Sequence, residues 1–471
     1  MTLLLVEVNN VLIYFISRPL VPPSDPLSTA LPNLDLSTFL AAILSSSQSE
    51  VLRTTPRTSL LLPLNSAFKR LGLLVSAHLL SPAAKLDLEK VLLHHTLSDI
   101  VYAGALSSGS QFTYSTLESS DIKIEHKSND SIFISPSGGW PGMKSLLIPS
   151  NTLTKTGVIH ELTDILIPRS VEITIGKLAK AAKGNTMISL VNRAGFDWVL
   201  NGTAPPDDSP WNDVFGDVFG SIRWTLLCPS DDAFKHVNLT ELLENPERLK
   251  NIVMQHLIPS PFPDFWVATT FKHLDNVDSD SDGSGSGGKK PGDADPDDVI
   301  NNNKPLPMED SATYSTLRTT NSFYGDIVFR AAGTGEDGEF IVGIKDARGT
   351  NGDADWATVV SWGRATKSGV SSSPFIPPLS SPNSQYPLTS SPQDQKQFAP
   401  TAAGGVILID RLLWPYEPPW WIAYGAPVFV GVMGVIAICG LFYGVRLIWR
   451  WDTREATYEP VGGFGREDDE D

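Results

Sequence analysis

The sequence predicts an α+β chain of tandem modules that ends in one transmembrane helix. Three observations predict it. A short apolar strand closed by proline is written three times, as VLIYFISRPLVP at 11–22, GVIHELTDILIP at 157–168 and GGVILIDRLLWP at 404–415. A repeated closing phrase implies repeated units, because each unit of an array buries its own strands before handing the chain on. Between these phrases, helical spacing precedes strand alternation. DLSTFLAAILSS (35–46) and TIGKLAKAAKGNTMISLVNRAGF (174–196) open with Asp or Thr and place apolar residues at helical intervals, whereas SDIKIEHKS (120–128), SIFISPS (131–137) and GEFIVGIKD (338–346) alternate. Helices grouped first and strands later indicate α+β and not an alternating parallel sheet. The third observation is an uncharged run between Glu417 and Arg446.

At 471 residues with 41% hydrophobic content, the chain has material for two or three domains with real cores. A formal net charge of -17 argues against nucleic acid as a partner, because phosphate neutralisation needs the opposite balance. The two cysteines, Cys228 and Cys439, are too few and too far apart for a disulfide framework or a metal knuckle. Packing holds the modules.

In chain order, residues 1–23 come first. They make a poor secretory signal, since no basic segment opens them and Glu7, Asn9 and Asn10 interrupt the apolar run. Their second half matches the closing phrase, so they are expected to be the residual closing strand of an upstream module; a weak uncleaved signal anchor is the alternative. Two units follow, at 32–170 and 172–416, with the same landmarks in the same order. SLLLPLNSAFK (59–69) corresponds to TLLCPSDDAFK (225–235), each an apolar strand, a proline, a turn rich in Asn, Ser or Asp, and an Ala-Phe pair opening a helix. LEKVLLHHTL (88–97) parallels LKNIVMQHLI (249–258) and sets His95 opposite His256, and TYSTL occurs verbatim at 113–117 and 313–317.

These landmarks resemble the fasciclin domain family. Pro63, Asn65, Ala67 and Phe68, and again Pro229, Asp231, Ala233 and Phe234, match its first motif. His95 and His256 match its Leu-rich helix ending in His, and a Gly-Val-Ile strand with an Asp before the closing proline completes the pattern. The Asp survives as Asp410 but reads Thr163 in the first unit and Ser17 in the N-terminal tail, and Leu64 replaces the usual hydroxyl residue. The resemblance implies tandem fasciclin-like domains, each a small β-wedge or sandwich with packed helices. It also implies a non-enzymatic protein that works through protein, glycan or membrane-surface contacts. Asn65, His95, Asp231 and His256 are the possible contact surface; alternatively Asn65 and Asp231 cap the helix that follows each, and the histidines are satisfied at a helix end. The second unit carries two insertions, near 275–308 and 365–400, of acidic Gly/Ser and Ser/Pro composition. Such compositions bury too little apolar area to offset ordering entropy, so both are expected to be loops interrupting the domain.

The uncharged run predicts a membrane span at 420–445 and a tail at 446–471. Trp420, Trp421 and Tyr424 stand at one end and Tyr443, Trp449 and Trp451 at the other, as interfacial belts do. Arg446, Arg450 and Arg454 follow the span, so the positive-inside rule puts the tail in the cytosol and the N-terminal units in a lumen or outside the cell. Gly440 and Gly444 form a GxxxG step, which hints at helix pairing or only lightens a glycine-rich helix. With several such domains and a short acidic tail, the chain also resembles fungal multi-fasciclin membrane proteins of the vacuole, which implies support of vacuolar fusion or autophagy; the plasma membrane is the competing location.

No nucleophile–base arrangement emerges, and no catalytic residue, cofactor or metal site is expected. HELTD at 160–164 invites comparison with zinc-protease helices, but its second ligand position is Asp164 and the stretch lies on a strand. A luminal metal-dependent hydrolase using His160 and Glu161 is kept as a third reading. His78, His94 and His95 lack accompanying thiolates. Asp278, Asp280, Asp282 and Gly283 open like a calcium loop whose twelfth position is Lys289. GSGSGG at 283–288 neither follows a strand nor opens a helix, so it carries no nucleotide signal. Asn129, Asn201 and Asn238 head glycosylation sequons, and Tyr458 to Val461 resembles a tyrosine-based sorting signal.

Overall fold

The computed structural model describes residues 2–8, 11–17, 19, 21–136, 140, 143–215, 222–235, 237–260, 304–320, 322, 324–332, 339–345, 347, 355–367, 404–416 and 425–455. Among them each unit forms one seven-stranded sheet, and the two sheets have the same topology. Strands β1 (Thr2–Val8) and β2 (Val11–Ile16) precede the first unit. That unit contributes β3 (Thr58–Pro63), β4 (Thr96–Leu97), β5 (Gln111–Ser115), β6 (Asp121–His126), β7 (Ile132–Pro136), β8 (Ser145–Leu153) and β9 (Gly157–Leu162) in the order β4-β3-β9-β8-β7-β6-β5. The second contributes β10 (Arg223–Pro229), β11 (Leu257–Ser260), β12 (Thr313–Ser315), β13 (Asp326–Ala331), β14 (Phe340–Ile344), β15 (Trp356–Arg364) and β16 (Gly405–Ile409) in the order β11-β10-β16-β15-β14-β13-β12. In both, the closing strand runs parallel to the first strand, β9 to β3 and β16 to β10, and antiparallel to the strand before it.

In both sheets the long penultimate strand carries an irregularity, where the register shifts between Ile148 and Thr152 in β8 and between Val359 and Ser361 in β15. An extra residue at such a bulge bends the strand and increases its twist. In the first unit a bridge from Leu97 to Thr116 brings the two ends of the sheet together.

Period-two geometry explains why the first strand is apolar throughout. Leu61 of β3 points into the barrel with Leu97, Ile122, Ile124, Ile134 and Leu162. Leu60 and Leu62 point the other way, onto Phe39, Leu40 and Ile43 of α1 (Ser37–Ser45). A strand covered on both faces reads as a continuous hydrophobic run. The closing phrase at 11–22 has an antiparallel partner, β1, with Val8 opposite Val11 in a separate two-stranded sheet.

The two units share one core. Three helices of the first unit, α2 (Asn65–Leu71), α3 (Leu73–Leu79) and α4 (Lys85–His94), frame it with α5 (Ile175–Ala181) of the second across the seam. Leu74, Val75, Leu79 and Val91 join Val171, Ile173, Ile175 and Leu178 in a single buried cluster. At its rim Asp87 accepts from Lys177 Nζ at 2.7 Å and lies 3.1 Å from His78 Nε2. Burial alone would raise the Asp87 carboxyl, yet the hydrogen bonds from His78 and Lys177 hold it below the ordinary carboxylate range. The Arg364 guanidinium stacks on Trp140 of the other unit at 5.5 Å.

Both expected insertions lie outside the described residues except at their ends, and those ends are packed. Leu306 and Met308 are buried and Gly404 N donates to Pro305 O at 3.0 Å, because KPLPM, unlike the acidic stretch before it, has apolar side chains to bury. Thr366 is tied to the linker through Ile173 N, which donates to Thr366 Oγ1 at 2.7 Å. From Tyr416 the chain forms a separate body built on α6 (Gly425–Glu455), a helix of 31 residues. Its stretch Phe429–Arg450 is, among the described residues, the one helix long and apolar enough to cross a membrane. The helix continues unbroken past the expected span end at 445.

Gly363 of β15 lies where the seam is tightest, since a Cβ there would stand 2.9 Å from Leu74 Cβ and 3.4 Å from Leu178 Cδ2 and Val75 Cγ2. Gly363→Val should therefore cost about 1–3 kcal/mol by overpacking, read as a lowered Tm of the full chain in detergent. Gly104→Ala, where nothing lies within 4 Å, should change stability by less than about 0.5 kcal/mol.

Candidate functional site

The motif residues that recur in both units come together at the junction of the first strand, the histidine helix and the closing strand. Asn65 follows β3 and Asp231 follows β10. Each reaches sideways to a helix earlier in its unit. Thr38 N, in the first turn of α1, donates to Asn65 Oδ1 at 2.9 Å, while Asn65 Nδ2 donates to Leu34 O at 2.9 Å and to Ser37 Oγ at 3.0 Å. In the second unit Thr186 N, in the first turn of helix Asn185–Arg193, donates to Asp231 Oδ1 at 2.8 Å, and Asn185 Nδ2 donates to Oδ2 at 3.1 Å. The first amides of a helix have no partner within it, and an acceptor there satisfies them. Burial raises the Asp231 carboxyl, but the Thr186 and Asn185 donors outweigh it and hold the group below its ordinary value. The alternative in which Asn65 and Asp231 cap the helix that follows each is corrected: the helix capped lies earlier in the unit, brought alongside by the fold.

The histidines make the second bond pattern. His95 Nδ1 lies 2.7 Å from Val91 O in α4, and Leu166 N donates to His95 Nε2 at 3.1 Å. His256 Nδ1 lies 2.8 Å from Ile252 O in helix Pro246–Gln255, and Leu413 N donates to His256 Nε2 at 3.2 Å. A carbonyl only accepts and an amide only donates, so each ring is neutral with its proton on Nδ1. The histidine carbonyls bond Leu61 N and Leu227 N, each at 2.8 Å. One residue thus joins the helix, the first strand and the segment after the closing strand. Both side chains are 0% exposed, and burial drives the pKa down to about 3 for His95 and about 4 for His256. A contact surface that includes His95 and His256 is therefore corrected: neither ring reaches solvent.

The closing strand supplies the third. Just past the end of the closing strand Leu146 N donates to Thr163 Oγ1 at 3.0 Å, and in the second unit Thr358 N donates to Asp410 Oδ1 at 2.6 Å. Thr163 and Asp410 are two solutions to one unpaired amide. Next to Thr163, Asp164 Oδ1 accepts from Arg70 Nε at 2.8 Å, and the same guanidinium bonds Thr163 O. The second unit has Arg411 in place of Asp164, stacked over Trp356 at 4.5 Å.

The residues of HELTD do not converge. His160 is buried and its Nε2 bonds Val101 O at 2.8 Å, Glu161 accepts from Asn33 Nδ2 at 3.0 Å, and Asp164 is held by Arg70. His78 faces Asp87 at the seam. His94 instead faces Ser120, with Nδ1 to Oγ at 2.6 Å and Glu118 at 3.9 Å. Among the described residues no group of three or more His, Cys, Asp or Glu side chains is placed to hold a metal. The calcium-like loop at 278–289 and Tyr458 and Val461 lie outside the described residues. Asn129, Asn201 and Asn238 are all exposed; Asn129 Oδ1 accepts from Ser131 N at 3.3 Å, and Asn238 Oδ1 caps helix Leu239–Glu244 through Glu241 N at 3.3 Å. Sequence reasoning missed the pair of Asp87 and Lys177, which lie 90 residues apart and carry no local signature.

The sequence profile of the fasciclin domain matches residues 34–168 and 182–287. Among curated proteins, the transforming growth factor-beta-induced protein ig-h3 of Sus scrofa is 27% identical over 222 residues, covering 47% of this chain and 27% of that protein. Periostin of Homo sapiens is 27% identical over 224 residues, covering 48% of this chain and 22% of its own length. The chain thus spans about a quarter of the length of these relatives. A solved FAS1 domain pair from the insect cell adhesion molecule fasciclin I covers 81% of this chain and 97% of its own at 12% identity, with a TM-score of 0.26.

Two outcomes follow from the site geometry. Unfolded histidine titrates near 6.5, whereas folded His95 and His256 stay neutral down to about 3 and about 4. The unfolded chain therefore binds more protons below about 6.5, so the stability is fully present above that pH. It falls with acidification at about 1.4 kcal/mol per pH unit for each histidine. Denaturant melts at pH 7.5 and 5 should show the loss, and His256→Gln should flatten the slope. Asn65→Ala and Asp231→Ala should each cost about 1–2 kcal/mol through the lost cap.

Proposed function

The chain belongs to the fasciclin domain family, and on that premise we propose that it is a non-enzymatic, membrane-anchored protein that presents two fasciclin domains for adhesion or tethering. One observation carries the reading. The polar residues that recur in both domains are engaged, in the same bond pattern twice, in capping an earlier helix and in holding the segment after the closing strand. The motif therefore builds a scaffold, and recognition belongs to the surface around it. In the first domain that surface includes Leu34, which is 79% exposed and whose carbonyl is bonded by Asn65. Partners of this class are protein, glycan or membrane-surface ligands. The dispersal of His160, Glu161 and Asp164 onto three separate partners argues against the hydrolase reading.

Anchoring rests on the helix Phe429–Arg450, and orientation on Arg446, Arg450 and Arg454 at its C-terminal side. In this reading the fasciclin domains are luminal or extracellular, and the exposure of Asn129, Asn201 and Asn238 suits them to carry glycans. The vacuolar alternative, support of membrane fusion or autophagy in a fungal vacuole, draws on the sorting-like Tyr458 to Val461 close behind the helix. A C-terminally tagged chain seen on the vacuole or on the plasma membrane decides between the two compartments.

Protease added to sealed vesicles carrying the full chain should trim only a short C-terminal tail and leave the bulk protected; digestion of both domains would reverse the orientation. For tethering, liposomes bearing the full chain should cluster with membranes that display the partner, and release of the domains by protease should disperse them. Clustering that persists after that release would overturn the reading.

A further inference from the structure

The helix that follows the fasciclin domains is longer than a bilayer requires. Its apolar stretch of 22 residues measures about 33 Å at 1.5 Å per residue, enough for a hydrocarbon core of about 30 Å. The helix nevertheless continues to Glu455. Basic charge gathers at the C-terminal end of this helix, partly within the apolar stretch and partly beyond it. Arg446, Arg450 and Arg454 recur every fourth residue, and each step of four turns the helix by only about 40°, so the three fall within a sector of about 80° and extend about 12 Å along the axis. Asp452 and Glu455 take register positions on the other side, about 200° and 140° around from Arg450. Arg446 and Arg450 are exposed, and Trp449, 73% exposed, stands next to Arg450 as an interfacial anchor does.

We propose that this arginine stripe is a docking face for anionic phospholipid headgroups of the leaflet into which the helix C-terminus emerges. The reading rests on the helix spanning the membrane. The guanidinium fork matches phosphate and carboxylate oxygens in pairs, and the long side chain of Arg446 can rise along the apolar surface to the headgroup level. A positive-inside bias alone requires only a count of basic residues; segregation onto one face fits a bound lipid layer on that side.

The test uses the full chain in bilayers of phosphatidylcholine containing a small fraction of spin-labelled phosphatidylserine or spin-labelled phosphatidylcholine. The motionally restricted fraction should favour phosphatidylserine by about fivefold or more at low salt, on the scale of about one arginine's contribution. High salt should reduce the preference. The variant R446Q/R450Q/R454Q should bring it to near one, and D452N/E455Q should leave it unchanged. Equal restriction of both lipids, a preference that survives loss of the arginines, or an equal response to loss of the carboxylates would overturn the proposal. Alkaline carbonate extraction separates the two readings: release of the chain from membranes defeats the span itself, whereas a retained chain without lipid preference defeats only the stripe.

Discussion

A neutral histidine buried at the end of a helix is the constraint on which each domain depends. His95 and His256 hold a helix carbonyl with one ring nitrogen and an amide beyond the closing strand with the other. That amide would be costly to bury unpaired, about 1–3 kcal/mol. The closing strand can enter the middle of the sheet, between the first strand and the penultimate one, because its exit is satisfied there. The Asn65 and Asp231 caps and the Thr163 and Asp410 side chains solve the same problem at other ends of backbone. Polar atoms in these motifs close the fold wherever regular ladders stop.

Much of this architecture was legible in the sequence. The closing phrase, the proline turn and the histidine helix mark strands and helices whose patterns are local, and repetition fixes their order. What was not legible is which distant backbone group each polar residue meets. Asn65 serves an amide 27 residues before it and Asp231 one 45 residues before it, and nothing nearby announces either partner. His78, His94 and His95 are close in sequence, yet the turn of the chain sends His78 to the seam, His94 to Ser120 and His95 into the core. The burial of His95 and His256 is hidden for the same reason. A histidine next to a helix end signals its bond to the helix but not the strand that will cover it.

The seam between the domains adds rigidity that neither domain supplies alone. Leu74, Val75 and Leu178 pack around a glycine that leaves no room for a side chain, and the ion pair of Asp87 with Lys177 lies at the edge. A pair fused through a common core presents its surfaces at a fixed angle. An adhesive surface gains from this, since little orientational entropy is lost when a partner is bound.

The parallel pairing of first and closing strands has a mechanical consequence. In the second domain β10 and β16 lie side by side, with Thr225 opposite Gly405 and Pro229 opposite Ile409. A pull on the chain leaving β16, directed away from the start of β10, loads all the hydrogen bonds of that ladder together and does not open them one by one. Such a domain yields to shear only when the whole ladder fails at once. A tether that carries tension between a membrane and a bound partner would resist brief loads in this way, with its last strand acting as a latch.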